Sequence, residues 1–305
     1  MTIIDLSRLP PPNAIESLDF EALQADFVAR FLAAWEGLRA LDPTLPVYNV
    51  ESLQADPFIV AGQAYSGVRL LDRARVNDAV RAVLAPLARR KDLDNVVARL
   101  GVERLVVFPA NEEAGTPAVM ESDERLLRRY LLAFGRPSAG SAALYQYEAL
   151  TAVPILKDVG IAGRAIHGRR GDTDVILLGP AGRDLTSDEI ATARAAVNKP
   201  GVRPEATSVT VLPAVRTFYD VRLSLQVSQG PDASAVTAEA DTRIRQAAED
   251  RRWVGEQVPC ALLSGAAYGL SVVRADLDAP LADIAGHPYA APELGTLEIV
   301  TGVVG

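Results

Sequence analysis

The chain has 305 residues, of which 49% are hydrophobic and 23% are charged, and its net charge is −8. This composition is typical of globular proteins and excludes a largely disordered or collagen-like chain. The acidic balance argues against a duplex nucleic-acid partner, because such binders present a basic face to the phosphates. At roughly 100–200 residues per domain, the length predicts about two domains.

The single cysteine, Cys260, excludes an internal disulfide bond and a cysteine-rich metal site. It lies in the apolar stretch VPCALLSGAAYGL, so we expect a small core residue rather than a nucleophile. The histidines His167 and His287 lie in glycine-containing segments that are typical of turns. We therefore predict neither a metal nor a cofactor.

The N-terminal segment 1–13 is expected to be an extended arm, because its prolines at residues 10–12 lock φ and remove backbone donors. It either frays or lies across a neighbouring subunit. The segment lacks the features of a signal peptide, and no window approaches the ~18 apolar residues of a spanning helix. These features predict a protein that is made in the cytoplasm and does not enter a membrane.

Residues 14–103 are predicted to be mostly helical. From Ser17 onward, apolar side chains recur at spacings of three and four, which places them on one face of a helix. This helical stripe consists of Phe20, Leu23, Phe27, Phe31, Trp35 and Leu38. A second helical stretch is predicted from Pro57, as one long helix or two joined helices. A third, shorter helix is predicted with Asp92 as its N-cap and Gly101 as its terminating glycine.

The helical stripe has limited chain to fold back on, which leaves two interpretations open. Either it packs on helices of partner subunits, or it forms the interior of a three- or four-helix bundle within one chain. The following segment, residues 104–154, is predicted to be a helical connector with one short strand. Ser122 and Ser141 are its expected helix caps.

The C-terminal half alternates strands and helices. Residues 155–215 show a β-β-α-β order whose helix is capped by Thr186 or Ser187. Residues 216–280 show a β-α-α-β order, and residues 281–305 form a loop that ends in a strand. The predicted fold class is therefore α+β, with an N-terminal helical region followed by two small α/β sandwich domains in series.

The sequence contains none of the motifs GxGxxG after a strand, GxxxxGK[ST], HExxH or GxSxG. Pairs of carboxylates, such as Glu112 with Glu113, are expected to be solvated or to complement a helix dipole. The basic clusters, residues 89–91 and 251–252, are expected at solvated helix ends. The Arg-Gly-Asp string within residues 169–172 is expected to form a turn.

Six stretches of the sequence are similar to stretches of one known family, and they follow each other in the same order. They are MTIIDLSRLPPPNAIESLDFEAL, RVNDAVRAVLAPLARRKDLDNVVARLGVERL, TPAVMESDERLLRRYLLAF, SAGSAALYQYEAL, VTVLPA and APLADIAGHPYAAPELGTLEIVTG. In this order they resemble the baseplate assembly protein J family of contractile-tailed phages and R-type pyocins. The resemblance covers nearly the whole chain, and none of the stretches is a catalytic signature.

The resemblance implies a structural, non-enzymatic subunit of the baseplate wedge, made in the bacterial cytoplasm and built into the assembled tail or particle. Two copies of the chain, in different conformations, would join one copy of tail protein I, with their N-terminal helices bundled together. Their C-terminal domains would meet neighbouring wedges in a ring around the hub, near the hub-spike proteins and the sheath-initiating protein W. The ring would hold the sheath until contraction is triggered.

A subunit with two conformations needs hinges, and the composition offers Gly101, Gly135, Gly140 and Gly230 as candidates. Two other functions stay open at this point. A baseplate-associated lytic enzyme, a hydrolase, would use Asp123, Glu124 and His167. A receptor-binding protein is disfavoured, because tail fibres typically have repetitive β or coiled-coil sequences and this chain shows no such repeat.

Overall fold

The chain folds into two compact units, residues 1–103 and residues 104–305. The computed structural model describes residues 10, 12–49, 55–113, 115–230 and 232–304. Most of the predicted N-terminal arm therefore lies outside the described residues. Within them, the first unit is helical and the second contains every strand, which confirms the predicted α+β class.

The first unit begins with two long helices, α1 (Phe20–Leu41) and α2 (Pro57–Val83). Asp19 caps α1 by accepting a hydrogen bond from the backbone N–H of Ala22, and Asp56 caps α2 in the same way. The second helical stretch is one long helix rather than two joined helices, because α2 runs unbroken from Pro57 to Val83.

The third helix differs from the prediction at its start. α3 (Lys91–Val97) continues as the 3-10 turn Ala98–Leu100, and Arg90 rather than Asp92 occupies its N-cap position. Asp92 instead lies in the first turn, where its charge complements the helix dipole. Gly101 ends the helix with a φ of 65°, as predicted.

The second unit opens with a small antiparallel hairpin and two helices. These elements are β1 (Val106–Phe108), β2 (Val119–Met120), α4 (Asp123–Ala133) and α5 (Ala142–Ala152). The hydroxyls of Ser122 and Ser141 accept backbone N–H groups at the starts of α4 and α5, which confirms both predicted caps.

The first α/β domain has a three-stranded sheet in the order β3-β4-β5. Its elements are β3 (Asp158–Ala162), α6 (Arg164–His167), β4 (Asp172–Leu178), α7 (Ser187–Val197) and β5 (Ser208–Pro213). β3 and β4 are antiparallel, whereas β4 and β5 are parallel and are joined through α7. Thr186 and Glu189 form a reciprocal capping box at the start of α7. α5 packs on α7 and β3, so part of the predicted connector covers this sheet.

The second α/β domain also has a three-stranded sheet with one antiparallel and one parallel pair, but its strands follow a different order along the chain. Its elements are β6 (Val215–Ser228), α8 (Ala233–Asp250), α9 (Cys260–Ala267), β7 (Val272–Ala279) and β8 (Ala290–Val304). The sheet order is β7-β6-β8, with β6 antiparallel to β7 and parallel to β8. Alternate residues of β6, from Tyr219 to Val227, form a core with α8 and α9.

The C-terminal strand takes up more of residues 281–305 than the predicted loop that ends in a strand. β8 begins at Ala290 and pairs with β6 from Val215 to Ser228. The segment 281–305, which the sequence analysis separates from the second domain, therefore contributes a full strand to its sheet. The alternation of buried and exposed residues that predicts a strand is absent from the first part of β8, because residues 290–293 are all buried.

The predictions for Cys260 and Arg252 are wrong. Cys260 begins α9 half-buried, and its thiol donates to the carbonyl oxygen of Pro280 at 3.3 Å. Burial raises the pKa of this thiol. Arg252 is not at a solvated helix end, since its side chain is 5% exposed and pairs with Glu249 at 2.8 Å. The basic residues 89–91 are exposed at the start of α3, which confirms the predicted solvated helix end, although cations at a helix start do not complement its dipole.

Candidate subunit interface

The helical stripe on α1 faces α2 along part of its length. Phe58 of α2 lies between two stripe residues, with its ring centroid 5.1 Å from that of Phe27 and 3.8 Å from that of Phe31. Tyr65 lies 5.4 Å from Phe27, and Tyr48 lies 5.0 Å from Phe31. These five rings form an aromatic cluster between α1, α2 and the loop that joins them.

Gly62 allows the two helices to approach each other at the aromatic cluster. A β-carbon at this position would lie 2.6 Å from the ring of Phe27, closer than carbon atoms come without displacement. Beside it, the buried hydroxyl of Ser66 donates to the side-chain oxygen of Gln24 at 3.0 Å. Apolar and polar contacts together select one packing of the helical hairpin.

The ends of the helical stripe have fewer partners. The indole of Trp35 donates to the carbonyl oxygen of Pro46 at 3.0 Å, and Phe20 and Leu23 are half-buried. Leu38 is 52% exposed. α1 contains no buried residue, so among the described residues the hairpin covers the stripe only in part and forms no closed bundle core around α1.

α2 adds a second apolar face on the side opposite Gly62 and Ser66. Val60, Val68 and Leu71 share one arc of the helix and are 50%, 57% and 70% exposed. Contiguous exposed apolar residues of this kind are typical of protein–protein contact sites.

A cavity of 630 Å³ opens between α1 and α2 above the aromatic cluster. Its floor includes Phe27 and Phe31, and its rim is charged. Asp26 and Arg30 pair across one helical turn at 2.8 Å, and a hydrogen bond from Arg30 lowers the pKa of Asp26. The rim also carries Arg73, which pairs with Glu16 outside the helices at 2.7 Å.

The segment before α1 is fixed to α2 by a residue that sequence reasoning missed. Asn77, 2% exposed, accepts the backbone N–H of Glu16 at 3.0 Å and donates to its carbonyl oxygen at 2.8 Å. A lone asparagine in a helix carries no periodic signal. The seven-residue spacing of Phe58 and Tyr65 places them on one face of α2, and this spacing could have identified them as interface residues. The sequence analysis does not include them in the helical stripe.

In the second unit, buried polar groups join the two α/β domains. The carboxylate of Glu293 in β8 accepts two hydrogen bonds from Arg216 at 2.6 Å and one from the backbone N–H of Gly182 at 3.0 Å. Burial opposes its ionisation, but these hydrogen bonds prevail and lower the pKa of Glu293.

Two further carboxylates make similar connections. Asp158 pairs with Arg128 and accepts the backbone N–H of Val254 at 2.9 Å. Asp174, which lies in β4, accepts the hydroxyl of Tyr289 at 2.6 Å. The two α/β domains are thus connected by charge-assisted hydrogen bonds between their buried faces.

The residues of the lytic alternative have structural partners. Asp123 lies in the first turn of α4 and pairs with Arg104 at 2.7 Å. Glu124 lines a cavity of 660 Å³, and the His167 ring bonds to the backbone of its own turn. Asp123 and Glu124 are neighbours at the start of α4, whereas His167 ends α6.

The remaining sequence motifs lie in turns. Arg169 pairs with Asp172 at 3.0 Å, with the φ of Gly171 at 75°, so the Arg-Gly-Asp string forms a turn as predicted. His287 accepts the backbone N–H of Tyr289 at 3.2 Å. Where the chain is described, no group of three or more His, Cys, Asp or Glu residues could hold a metal ion. None of the described helices is long and apolar enough for a membrane crossing.

The four hinge candidates occupy different environments. Gly101 lies beside the boundary between the two units, and a β-carbon there would meet no atom within 4 Å. At Gly135 and Gly140 a β-carbon would lie 2.6 Å from a neighbouring side chain, so close packing accounts for glycine. Gly230 lies in the loop between β6 and α8, inside the second α/β domain. A hinge at any of them stays a prediction.

Comparison with known proteins finds relatives of this chain. Residues 54–111, which span α2, α3 and β1, match the Baseplate J-like N-terminal domain family. Over 316 aligned residues the chain is 31% identical to baseplate protein J of Escherichia phage P2, with 99% of each chain covered. The chain belongs to the baseplate protein J family. The resemblance drawn from the ordered stretches is thereby confirmed, and this J-family chain is a structural component of a phage baseplate.

Proposed function

We propose that this J-family chain is a non-enzymatic wedge subunit whose α1–α2 hairpin is the joint to other subunits. Two copies, in different conformations, join one copy of tail protein I through their hairpins. The observation that carries the proposal is α1, a helix of 22 residues with an aromatic stripe and no buried residue. Its context supports the same conclusion, because the chain matches baseplate protein J along its whole length.

The exposed side chains of the hairpin could contribute substantially to such a joint. Complete burial of a valine or leucine side chain contributes about 1.5–3 kcal/mol. Val60, Val68 and Leu71 are each half or more exposed in the isolated chain, so this stabilisation is unused there. A bundle of hairpins would bury these side chains together with Leu38.

In the proposed assembly, the second unit meets neighbouring wedges and closes a ring around the hub. Its neighbours are the hub-spike proteins and the sheath-initiating protein W, and the ring holds the sheath until contraction is triggered. The buried carboxylates of Glu293, Asp158 and Asp174 form hydrogen bonds that connect the two α/β domains. These bonds support a second unit that moves as one body. Gly101 then provides the hinge between conformations, since it lies two residues before the unit boundary.

The proposal is tested with a variant that leaves the isolated fold intact. Leu71→Asp changes a side chain that is 70% exposed, whereas Gln63→Asp changes an exposed polar residue of the same helix as the matched control. We expect Leu71→Asp to abolish particle assembly in a complementation assay, because an unpaired charge would be buried in the joint. Gln63→Asp should assemble.

Native mass spectrometry of the chain co-expressed with tail protein I measures the stoichiometry directly. A 2:1 complex is expected for the natural chain and for Gln63→Asp, and a free chain for Leu71→Asp. Normal particle assembly by Leu71→Asp, or a monomer that ignores tail protein I, would overturn the proposal. Release of peptidoglycan fragments that depends on Glu124 would overturn its non-enzymatic part.

A further inference from the structure

The two three-stranded sheets have four edge strands, and three of them carry features that hinder pairing with another strand. β3 has five residues, and the side chain of Gln146 donates to the carbonyl oxygen of Val159 at 2.8 Å. β5 is also short and contains Pro213. β7 carries three charged side chains among eight residues, and its pairing with β6 is irregular at two positions.

β8 lacks these protective features in its C-terminal half. Residues 297–304 pair with β6 in unbroken register and contain no proline. Their one charged side chain, Glu298, lies 3.6 Å from Arg222 of β6. Val300 and Val303 are 49% and 61% exposed, and no described strand pairs with the outer edge. A long, regular, apolar edge is a template for another strand.

A groove runs beside this edge between β8 and α8. Its volume is 680 Å³, and its walls are small or apolar side chains for the most part. They belong to Ser234, Thr237, Ala238, Asp241 and Thr242 of α8 and to Leu297, Ile299 and Thr301 of β8. A strand added to β8 would direct every second side chain into this groove, because side chains alternate along a strand.

We propose that β8 pairs antiparallel with β8 of a second copy of this chain, about a two-fold axis at Val300. The two sheets would then form one continuous sheet of six strands, three from each copy. In this register Leu297 faces Val303 on the groove side, and Glu298 faces Gly302 on the other side. The edge is therefore complementary to itself, because apolar residues meet and no like charges face each other.

The pairing rests on the proposed function only in requiring two copies of the chain in one particle. It assigns the contact between copies to a backbone ladder in the second unit, separate from the helical joint of the first. Its test uses purified full-length chain, so it does not depend on particle assembly.

A cysteine at the proposed axis tests the register directly. Directly opposed residues of antiparallel strands have β-carbons about 4.5–5.5 Å apart, close to disulfide geometry. Val300→Cys in a Cys260→Ser background is therefore expected to form a covalent dimer under mild oxidation. The matched control is Val273→Cys on the edge strand β7, where the valine is 58% exposed. If Val300→Cys gives no more dimer than Val273→Cys, the pairing is overturned.

A second variant tests the edge without a crosslink. Val303→Lys changes a side chain that is 61% exposed, so the isolated fold is expected to persist, with circular dichroism as the check. The lysine would face Leu297 of the other copy inside the groove. We expect the dissociation constant of the dimer, measured by sedimentation, to rise at least about tenfold. Val273→Lys should leave it unchanged.

The outcomes separate the pairing from the proposed function. A chain that stays monomeric at every accessible concentration, without a crosslink at Val300→Cys, overturns the pairing even if particle assembly is normal. If Val303→Lys blocks particle assembly but leaves self-association unchanged, the edge has another occupant and the pairing with a second copy is again overturned. Failure of the Leu71→Asp test alone leaves the pairing intact.

Discussion

The helical hairpin and the second sheet use their apolar side chains in opposite ways. α1 presents six apolar residues on one stripe and buries none of its residues. In β6, by contrast, Leu223, Leu225 and Val227 are at most 1% exposed beneath α8 and α9. The second unit is therefore stabilised by its own core, whereas the hairpin leaves much of its apolar surface exposed.

Charged side chains show the same contrast. Asp26 and Arg30 on α1 form an exposed pair, which contributes little to stability because solvent screens it. Glu121 and Arg129 in the second unit form a pair at 2.6 Å whose side chains are 0% and 2% exposed. A buried pair is costly to break, because the remaining charge has no solvent. Substitutions in the two units test this difference.

Arg129→Met should lower the free energy of unfolding by about 3–5 kcal/mol, because it leaves the carboxylate of Glu121 buried without its closest partner. Denaturant unfolding of the full chain measures the loss. The matched control is Arg30→Met on α1, which should leave the free energy of unfolding almost unchanged, because solvent screens the exposed pair. Equal losses for the two variants would remove the contrast between the units.

Phe31→Asp should destabilise the hairpin by about 2 kcal/mol, because it removes a half-buried ring from the aromatic cluster. Trp35 lies 6.0 Å from Phe31 and reports on the hairpin, whereas Trp253 reports on the second unit. Single-tryptophan variants should show an earlier transition at Trp35 and an unchanged one at Trp253. Ala33→Asp, on the exposed side of α1, is the control. A parallel shift at both tryptophans would show that the units unfold as one.

Gly101→Ala should lower the free energy of unfolding by about 1 kcal/mol, because its φ of 65° disfavours any residue with a β-carbon. No steric clash contributes, since the space around this position is open. Gly37→Ala, inside α1 but near its C-terminal end, also has open space and should have the opposite sign, with up to about 1 kcal/mol of stabilisation. Equal signs for both variants would mean that backbone conformation is not the cause.

Glu189→Gln should have the smallest effect, and it should depend on pH. A hydrogen bond from Arg183, together with the cap bond to Thr186, lowers the pKa of Glu189 from 4.5 to about 2. Because the folded-state pKa is depressed, the stabilisation is present above pH 4.5 and is lost as the pH falls towards 2. At neutral pH it should be below about 1 kcal/mol, because Arg183 is partly exposed and solvent screens the pair.

Unfolding of the natural chain and of Glu189→Gln across this pH range measures that dependence. The difference between them should shrink steadily between pH 4.5 and pH 2. A difference that stays constant over this range would show that the carboxylate charge does not contribute.

Most of the fold could be predicted from the sequence, because helix starts depend on contacts within one turn. Ser122, Ser141 and Thr186 each accept a backbone N–H three residues on, so a local pattern is sufficient. The N-terminal part of β8 could not be predicted, because Ala290 and Ala291 are buried by neighbours far along the chain. The half-buried position of Cys260 could not be predicted either, because it also depends on residues distant in the chain, such as Pro280.

Only part of the candidate interface could be predicted from the sequence, because the rest depends on contacts between distant residues. The spacing of Phe27 and Phe31 is a periodic signal, so the stripe could be found from the sequence. Gly62 depends on a ring in another helix, and Asn77 bonds to a backbone group 61 residues away. Neither contact leaves a pattern in the sequence around these residues. The exposure of Leu71 likewise follows from how the hairpin packs.

Hydrogen–deuterium exchange of the full chain, free and in assembled particles, tests most directly whether the hairpin is a joint. We expect the amides of residues 27–38 to exchange readily in the free chain and to gain at least about 100-fold protection on assembly. The amides of β6 should be equally protected in both states. If residues 27–38 are already as protected as β6 in the free chain and gain nothing on assembly, the hairpin is not completed by other subunits.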